Sequence, residues 1–329
     1  MLALIVVELG LRLFVESPPF SYGYDEDWGY YPAEGTFLIW GSEGYGINYF
    51  ADHGEQQTIS NEGQNIVVLG DSHTESHQVA YTDNFVSVAE SILMKKGLAF
   101  NLRNHGKAYS SVADYVYLAP VVKGLYSPEV VVLQLSVQDF FKHEVYDKNK
   151  INHFVSQKDE LKLVHNPPPF NDHWLGQLMQ NTVLLVQGTK RQRLFSEASK
   201  PPAQAGGESA PIALDVIDTQ LEMLREAYAD VEVIIVLLPY APTVQGDQFV
   251  SEEVEFTDLL EHFSKIEEWK IVDPSGEFTE LMETSGRLPR GFSNSLPGIG
   301  HLNEYGHQIV GEILAAQIEQ ITVKTTTQN

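Results

Sequence analysis

A short apolar run that ends in a polar turn decides the fold of this chain. The run reads Ile66-Val67-Val68-Leu69-Gly70-Asp71-Ser72. Its four apolar residues, three of them β-branched, predict a strand buried on both faces, as the strands of parallel sheets are. The Gly, Asp and Ser that follow predict a tight turn into a helix, because Asp and Ser are favoured helix N-caps.

The same alternation of apolar runs and amphipathic stretches repeats along the chain. Further strands are predicted at Ala99–Arg103, Val130–Leu135, Val231–Leu238 and Lys270–Val272. Helices are predicted at Asn84–Lys96, Val112–Lys123, Ile212–Ala229 and Glu252–Trp269, with a last helix from Asn303 to about Ile321. This succession predicts an α/β fold, a flavodoxin-like three-layer sandwich with a mostly parallel five-stranded sheet, which carries an N-terminal extension and a central insertion.

The remaining segments are predicted to lie outside that sheet. Residues 1–16 are apolar but too short to span a bilayer, and they are interpreted as a membrane-anchor remnant or as an amphipathic helix. Residues 17–62 form an aromatic-rich extension, irregular or short-stranded, whose rings pack on the domain or stack on sugars. The main domain covers residues 63–329 with an insertion at about 141–211, which shows no convincing strand and is predicted to hold its own helices and a flexible tail.

Composition and charge restrict the classes of function. The chain has 329 residues, 43% of them apolar, a net charge of −24 and no cysteine. The negative charge disfavours nucleic acid and anionic lipid as partners, so a neutral or sugar-like substrate fits better. Without cysteine there are no disulfides, no thiolate metal sites and no cysteine nucleophile. No nucleotide-binding glycine loop is present, and no cofactor or metal is expected.

Ser72 has two interpretations on its local sequence. At the exit of the first strand it would face the crevice where open α/β sheets bind ligands, as a nucleophile does. It could equally be an ordinary N-cap of the helix that follows. The far end of the chain favours the first interpretation, because a histidine, His301, stands immediately before the last predicted helix.

Together these two blocks resemble the SGNH/GDSL family of serine hydrolases, in its membrane-associated bacterial branch. The matching stretches are Val68-Leu69-Gly70-Asp71-Ser72-His73-Thr74-Glu75 and His301-Leu302-Asn303-Glu304-Tyr305-Gly306-His307. The resemblance implies Ser72 as nucleophile and His301 as base. It also implies an oxyanion hole from the N–H groups of Ser72 and Gly106 and the amide of Gln138, which replaces the family's asparagine. Asp71 and Asp139 are expected to support the site.

The sequence departs from the family at the acid of the triad. The family places an aspartate two or three residues before the histidine, where this chain has Ile299 and Gly298. Three alternatives follow: a Ser–His dyad held by a backbone carbonyl, an acid from another loop, or a domain that binds without cleaving. Asp273, Glu277 and Glu304 are candidates for the acid, and the sequence does not choose among them.

The resemblance implies a serine esterase or O-acyltransferase that acts on an acyl ester, such as an acylated carbohydrate or polysaccharide. The alternative is a catalytically weakened SGNH domain that serves as a polysaccharide-binding or surface-assembly module. A third hypothesis is a non-enzymatic protein that uses residues 141–211 to bind a partner. The apolar N-terminus suggests a membrane association and an extracytoplasmic or membrane-anchored location, with the cytoplasm as the alternative.

Three more histidines lie near these two motifs. His73 and His77 are four residues apart and would share a helix face beside Glu75, a spacing that can bind a metal. Without a third ligand they are interpreted as active-site wall or surface. His307 is interpreted as a structural residue that caps or packs the last helix.

Overall fold

The protein is described by a computed structural model over residues 22–60, 63–141, 152–157, 160–165, 214–239, 243–245, 248–250 and 254–328. The strands in chain order are β1 Tyr22–Asp25, β2 Gly29–Pro32, β3 Phe37–Trp40, β4 Gly46–Tyr49, β5 Gln64–Gly70, β6 Phe100–Gly106, β7 Val130–Ser136, β8 Asn152–Gln157, β9 Glu160–His165, β10 Glu232–Leu238, β11 Thr243–Gln245, β12 Gln248–Val250 and β13 Lys270–Val272. The helices are α1 Ser72–Glu75, α2 Phe85–Lys95, α3 Val112–Tyr126, α4 Val137–Phe141, α5 Leu214–Ala227, α6 Val254–Ser264, α7 Ser275–Ser285 and α8 Glu304–Gln328.

Five strands form the central sheet in the order β13-β10-β7-β5-β6, and every neighbouring pair is parallel. Each of the five strands was predicted from its apolar run. Numbered along the chain, the order is 2-1-3-4-5, which is the flavodoxin-like arrangement. The predicted α/β fold class is therefore confirmed.

Alternating residues of the buried strands divide the core into two layers. On one face Val67, Leu69 and Leu133 pack under α3, α5 and α6. On the other face Ile66, Val68 and Val132 pack under α2, α7 and α8. Because both faces are covered, β5, β7 and β10 are mostly apolar rather than alternating, which explains why they were recognisable in the sequence.

Several helices differ from their predictions: α4 was not predicted, and α8 continues beyond Ile321 to Gln328. The predicted helix Glu252–Trp269 is seen as α6 and ends at Ser264, before a turn that leads into β13. Helix α7 was not predicted, although Asp273 accepts hydrogen bonds from the N–H and hydroxyl of Ser275 at its start. The sequence does carry a helix start of the Asp-Pro-Ser kind there, which the analysis of apolar runs passed over.

The insertion differs more clearly from its prediction. Strands β8 and β9 form an antiparallel hairpin in a region where no strand was expected. The hairpin packs on α3, where Asn152 donates to Asp114 at 3.0 Å and His165 stacks on Tyr117 with ring centroids 4.3 Å apart. The helices and the flexible tail predicted for this insertion lie outside the described residues.

The aromatic-rich extension contains two hairpins over its described residues, β1–β2 and β3–β4. Trp28, in the turn of the first, is buried against His105 of β6 with ring centroids 4.8 Å apart. The segment of residues 1–16 is outside the described part. Among the helices that are described, none is both long and apolar enough to cross a membrane.

Candidate active site

Ser72 is the first residue of α1, directly after the central strand β5. Its turn is shaped by Asp71, whose carboxylate accepts the N–H of His73 at 2.9 Å. The turn is also tied to the next strand, because the side-chain oxygen of Gln134 in β7 accepts from the Asp71 N–H at 3.1 Å and from the Thr74 hydroxyl at 2.9 Å. Asp71 therefore supports the nucleophile turn through its backbone and its side chain.

His301 lies in the loop that leads into α8 and reaches the same point. Its Nε2 is 2.9 Å from Ser72 Oγ, although 229 residues separate the two along the chain. This is the distance needed for a base to take the proton of a serine hydroxyl. The two residues singled out in the sequence are thus brought together.

The other ring nitrogen of His301 contacts a carboxylate from the N-terminal extension. Glu43, in the turn between β3 and β4, places Oε2 2.7 Å from His301 Nδ1, and its Oε1 accepts the His301 backbone N–H at 2.9 Å. The carboxylate fixes Nδ1 as the protonated nitrogen, which leaves Nε2 free to accept the proton of Ser72. Ser72, His301 and Glu43 form one continuous hydrogen-bonded chain.

A carboxylate from another loop, Glu43, takes the position beside His301 that the sequence leaves without an acid. None of the candidates Asp273, Glu277 and Glu304 holds His301: Asp273 caps α7, whereas Glu277 and Glu304 are exposed in the first turns of α7 and α8. Glu43 was not expected from the sequence, because the extension that carries it was predicted to lie outside the domain that contains Ser72 and His301.

The turn that carries Glu43 is clamped from two sides. Asn294, in the loop before His301, accepts the Gly44 N–H at 2.8 Å and donates to the carbonyls of Gly41 and Gly44, both at 3.1 Å. On strand β4, the Asn48 amide donates to the carbonyls of His77 and Val79 behind α1. The acid is therefore positioned relative to both the histidine loop and the nucleophile helix.

A glycine makes room for the carboxylate. Gly300 has φ +94°, a left-handed conformation that side chains rarely adopt, and a Cβ there would lie 2.2 Å from Glu43 Oε1. Only a residue without a side chain at position 300 allows Glu43 to reach the backbone N–H and the ring Nδ1 of His301.

The charge of Glu43 is maintained by its neighbours. Burial raises the pKa of this carboxyl, but the hydrogen bonds from His301 and the electrostatic interactions with His301 and Arg290 outweigh burial, and the pKa is lowered overall. Glu43 is consequently an anion at neutral pH, as an orienting carboxylate in a triad must be.

Arg290 is a buried cation that the sequence analysis also missed. Its guanidinium donates to the carbonyls of Gly300 at 3.0 Å and Pro239 at 2.6 Å, and it lies 3.1 Å from His73 Nε2. Because arginine only donates, His73 Nε2 accepts and the proton of His73 is on Nδ1. The 3.4 Å contact from the Leu302 N–H to that Nδ1 is then not a hydrogen bond.

The predicted oxyanion hole is only partly described. No described group accepts the N–H of Ser72, which leaves it available as a donor. The N–H of Gly106, in contrast, donates to Asn104 Oδ1 at 3.0 Å, so its predicted role requires that bond to be exchanged for one to a substrate. Gln138 lies in α4, and its amide is outside the described residues. Asp139 accepts from the N–H and hydroxyl of Ser136 and so supports the start of α4.

The shared helix face predicted for His73 and His77 is wrong. Helix α1 ends at Glu75, and Ser76 adopts a left-handed conformation that turns the chain away. His73 lies at the site, its ring 5.1 Å from that of His301, whereas His77 is buried against Trp40 and Phe50. His307 accepts the Phe85 N–H at 3.2 Å and packs on its ring. Within the described residues, no group of three or more potential His or carboxylate ligands could hold a metal.

A largely buried acid, Glu75, ends the short helix that begins with Ser72. Burial raises the pKa of Glu75, at the end of α1, to about 7, although the Ala108 N–H and the charge of Lys107 oppose that shift. Lys107 is itself buried, which lowers its pKa, and its ammonium donates to the Trp28 carbonyl at 2.9 Å. The segment after β6 is thereby attached to α1 on one side and to the extension on the other.

Comparisons with known proteins give structural similarity without sequence similarity. No protein-family model and no curated protein matches the chain. A member of the lipolytic G-D-S-L family from Veillonella parvula is similar in structure, with 14% identity and a TM-score of 0.43 over 76% of this chain and 96% of that one. An acetylxylan esterase from Geobacillus stearothermophilus has 14% identity and a TM-score of 0.42, over 78% and 94% of the two chains. A lipase/acylhydrolase from Enterococcus faecalis has 13% identity and a TM-score of 0.44, over 78% and 96%.

Replacing Glu43 tests its role directly. In Glu43→Gln the charge that stabilises a protonated His301 is lost, and the amide can donate as well as accept, so the tautomer is no longer fixed. We expect phosphonylation of Ser72 by a fluorophosphonate probe to slow by about 10²- to 10⁴-fold. The exposed Glu304→Gln is the matched control and should react at the wild-type rate. An unchanged rate in Glu43→Gln would contradict the assignment.

Gly300→Ala tests the same contact from the opposite side. The added methyl group would lie 2.2 Å from Glu43 Oε1 and force the carboxylate away, so we expect the probe reaction to slow about as much as in Glu43→Gln. The double variant should then be no slower than either single one, because both changes remove one contact. Gly124→Ala in α3, where no atom lies within 4 Å of the new methyl group, is the control.

Glu75 should make stability depend on pH near neutrality. The folded protein holds this proton up to about pH 7 and the unfolded chain releases it near 4.5, so the folded state binds more protons between those values. The free energy of unfolding therefore falls as the pH rises through that window. Relative to Glu75→Gln, wild-type protein should lose about 3 kcal/mol between pH 4 and pH 8 in denaturant titrations. The exposed Glu34→Gln should follow the wild-type profile, and a constant difference for Glu75→Gln would refute the effect.

Proposed function

We propose that this protein is a serine esterase that acts on the acyl ester of a carbohydrate. The observation that carries the proposal is the continuous chain from Ser72 Oγ through His301 to Glu43, with distances of 2.9 and 2.7 Å. A serine used only as a helix cap needs neither the histidine nor the carboxylate behind it. The complete triad also removes the main reason for interpreting the domain as a catalytically weakened binding module.

The geometry supports a two-step acyl transfer. As Ser72 Oγ attacks the ester carbonyl carbon, its proton passes to His301 Nε2, and Glu43 stabilises the resulting imidazolium. The negative oxygen of the tetrahedral intermediate is stabilised by the Ser72 N–H, with Gly106 and Gln138 as the proposed further donors. His301 then returns its proton to the leaving alcohol, and an acyl-Ser72 ester remains. Water, or a sugar hydroxyl in the O-acyltransferase variant of this proposal, releases the acyl group by the same steps in reverse.

The negative net charge of the protein favours a neutral substrate. The net charge of −24 repels polyanions and anionic lipid surfaces, whereas an acylated sugar carries no charge to repel. Exposed tyrosines, including Tyr45 beside the Glu43 turn, supply the flat rings that sugars bind. An extracytoplasmic or membrane-anchored location is part of the proposal and is suggested by the apolar residues Met1–Phe14.

An ester panel on purified protein tests the proposal. We expect hydrolysis of a short-chain aryl ester and of an acetylated pyranoside, and a loss of about 10⁴-fold or more in Ser72→Ala. The exposed Ser264→Ala is the matched control. Activity that survives in Ser72→Ala, or no Ser72-dependent turnover of any ester, would overturn the proposal. Addition of an unacylated sugar separates the two variants of the reaction, since an acylated sugar product appears only with transfer.

A further inference from the structure

A single arginine contacts three parts of the site at once. Arg290 is only 5% exposed, although its guanidinium is always charged. Burying such a charge is costly unless hydrogen bonds satisfy it, so the partners of Arg290 indicate what the buried cation does. The acyl transfer proposed above assigns no step to this residue.

The backbone of Arg290 is paired with the segment that carries the base. Arg290 and Leu302 form an antiparallel bridge. Next to that bridge the Gly291 N–H donates to the His301 carbonyl at 3.0 Å, and the Arg290 carbonyl accepts the Gly298 N–H at 3.1 Å. Arg290 therefore belongs to the same hydrogen-bonded loop as His301.

One nitrogen of the guanidinium joins the neighbour of the nucleophile to the neighbour of the base. Arg290 Nη1 donates to the Gly300 carbonyl at 3.0 Å and, at 3.1 Å, to His73 Nε2. Gly300 directly precedes the base, and His73 directly follows the nucleophile. These two contacts therefore link the same two segments as the 2.9 Å contact between Ser72 Oγ and His301 Nε2.

The other terminal nitrogen attaches this link to the central sheet. Arg290 Nη2 donates at 2.6 Å to the carbonyl of Pro239, the residue directly after β10. Because a guanidinium is planar and rigid, a fixed Nη2 also fixes the direction in which Nη1 donates. A lysine has one ammonium nitrogen on a flexible stem, so it could not hold all three partners in this geometry.

We propose that Arg290 is a positioning residue that acts through His73 and Gly300 to hold Ser72 at proton-transfer distance from His301. This inference rests on the proposed esterase function and adds to it the residue that sets the distance between nucleophile and base. A misplacement of about 1 Å can slow an enzymatic reaction about 10²-fold. Because Arg290 acts through its neighbours, its loss should slow the chemical step without weakening binding.

The test measures phosphonylation of Ser72 by a fluorophosphonate probe, which requires an activated serine but no natural ester. The maximal rate reports the chemical step, and the probe concentration at half-maximal rate reports binding. We expect Arg290→Ala and the charge-preserving Arg290→Lys to lower the maximal rate about tenfold or more at an unchanged half-saturating concentration. Free guanidinium at a low, non-denaturing concentration should partly restore Arg290→Ala, because it can occupy the vacated position and donate to the same acceptors.

His73 provides a second test that does not depend on the folding of an Arg290 variant, because its side chain is only half-buried. His73→Leu removes the acceptor of Arg290 Nη1 and should also lower the maximal rate. In His73→Gln the amide oxygen can accept in place of Nε2, so we expect it to regain most of that loss. The double variant Arg290→Ala/His73→Leu should be no slower than Arg290→Ala, because the contact is already broken there.

Arg287→Ala is the matched control, because Arg287 is exposed in the same loop and should react at the wild-type rate. A wild-type maximal rate in Arg290→Lys overturns the inference, since charge alone would then suffice, and so does a wild-type rate in His73→Leu. An equal loss in His73→Gln and His73→Leu, a folded Arg290→Ala that guanidinium does not restore, or a change confined to the half-saturating concentration also overturns it. If the probe does not label Ser72 in the wild-type protein, the proposed function itself fails and the inference fails with it.

Discussion

The contact between Glu43 and His301 is the interaction on which the site depends. One carboxylate accepts both the backbone N–H and the ring N–H of a single residue, so it fixes the loop and the tautomer at once. Its other neighbours serve this contact: Asn294 clamps the turn that carries it, Gly300 leaves room for it, and Arg290 stabilises its charge. The aromatic-rich extension therefore belongs structurally to the domain, because it supplies the carboxylate that holds His301.

The surroundings of the site combine several buried polar groups. Burial lowers the pKa of His77 and His307 to about 3, so both are neutral when folded, and His307 uses that neutral state to accept the Phe85 N–H. The unfolded chain binds a proton at each of these histidines more readily than the folded protein does. Both histidines therefore lower the free energy of unfolding as the pH falls below about 6.5. Burying such polar groups lowers the free energy of unfolding, but their hydrogen bonds fix the geometry of the site.

Much of the fold was predictable because its signals are local. The five strands appear as apolar runs, since both faces of a covered parallel sheet are buried, and Ser72 and His301 lie in short motifs. Glu43 was not predictable in that way, because 258 residues separate it from His301 and nothing in its own turn specifies the partner. Gln134 did leave a local signal, as a lone polar residue in the apolar strand β7, and it marks the strand that holds the nucleophile turn. The β8–β9 hairpin was missed because its apolar residues are few and interspersed with polar ones, so neither strand forms a continuous apolar run.

The separation between Glu43 and His301 also has a consequence for synthesis. The ribosome delivers the extension first, then the sheet with Ser72, and the histidine loop only shortly before α8. Until that loop emerges, the serine has no base and the carboxylate has no imidazole to orient. Under the proposed function, the nascent chain therefore cannot attack esters before the histidine loop is synthesised, because Ser72, His301 and Glu43 can come together only then.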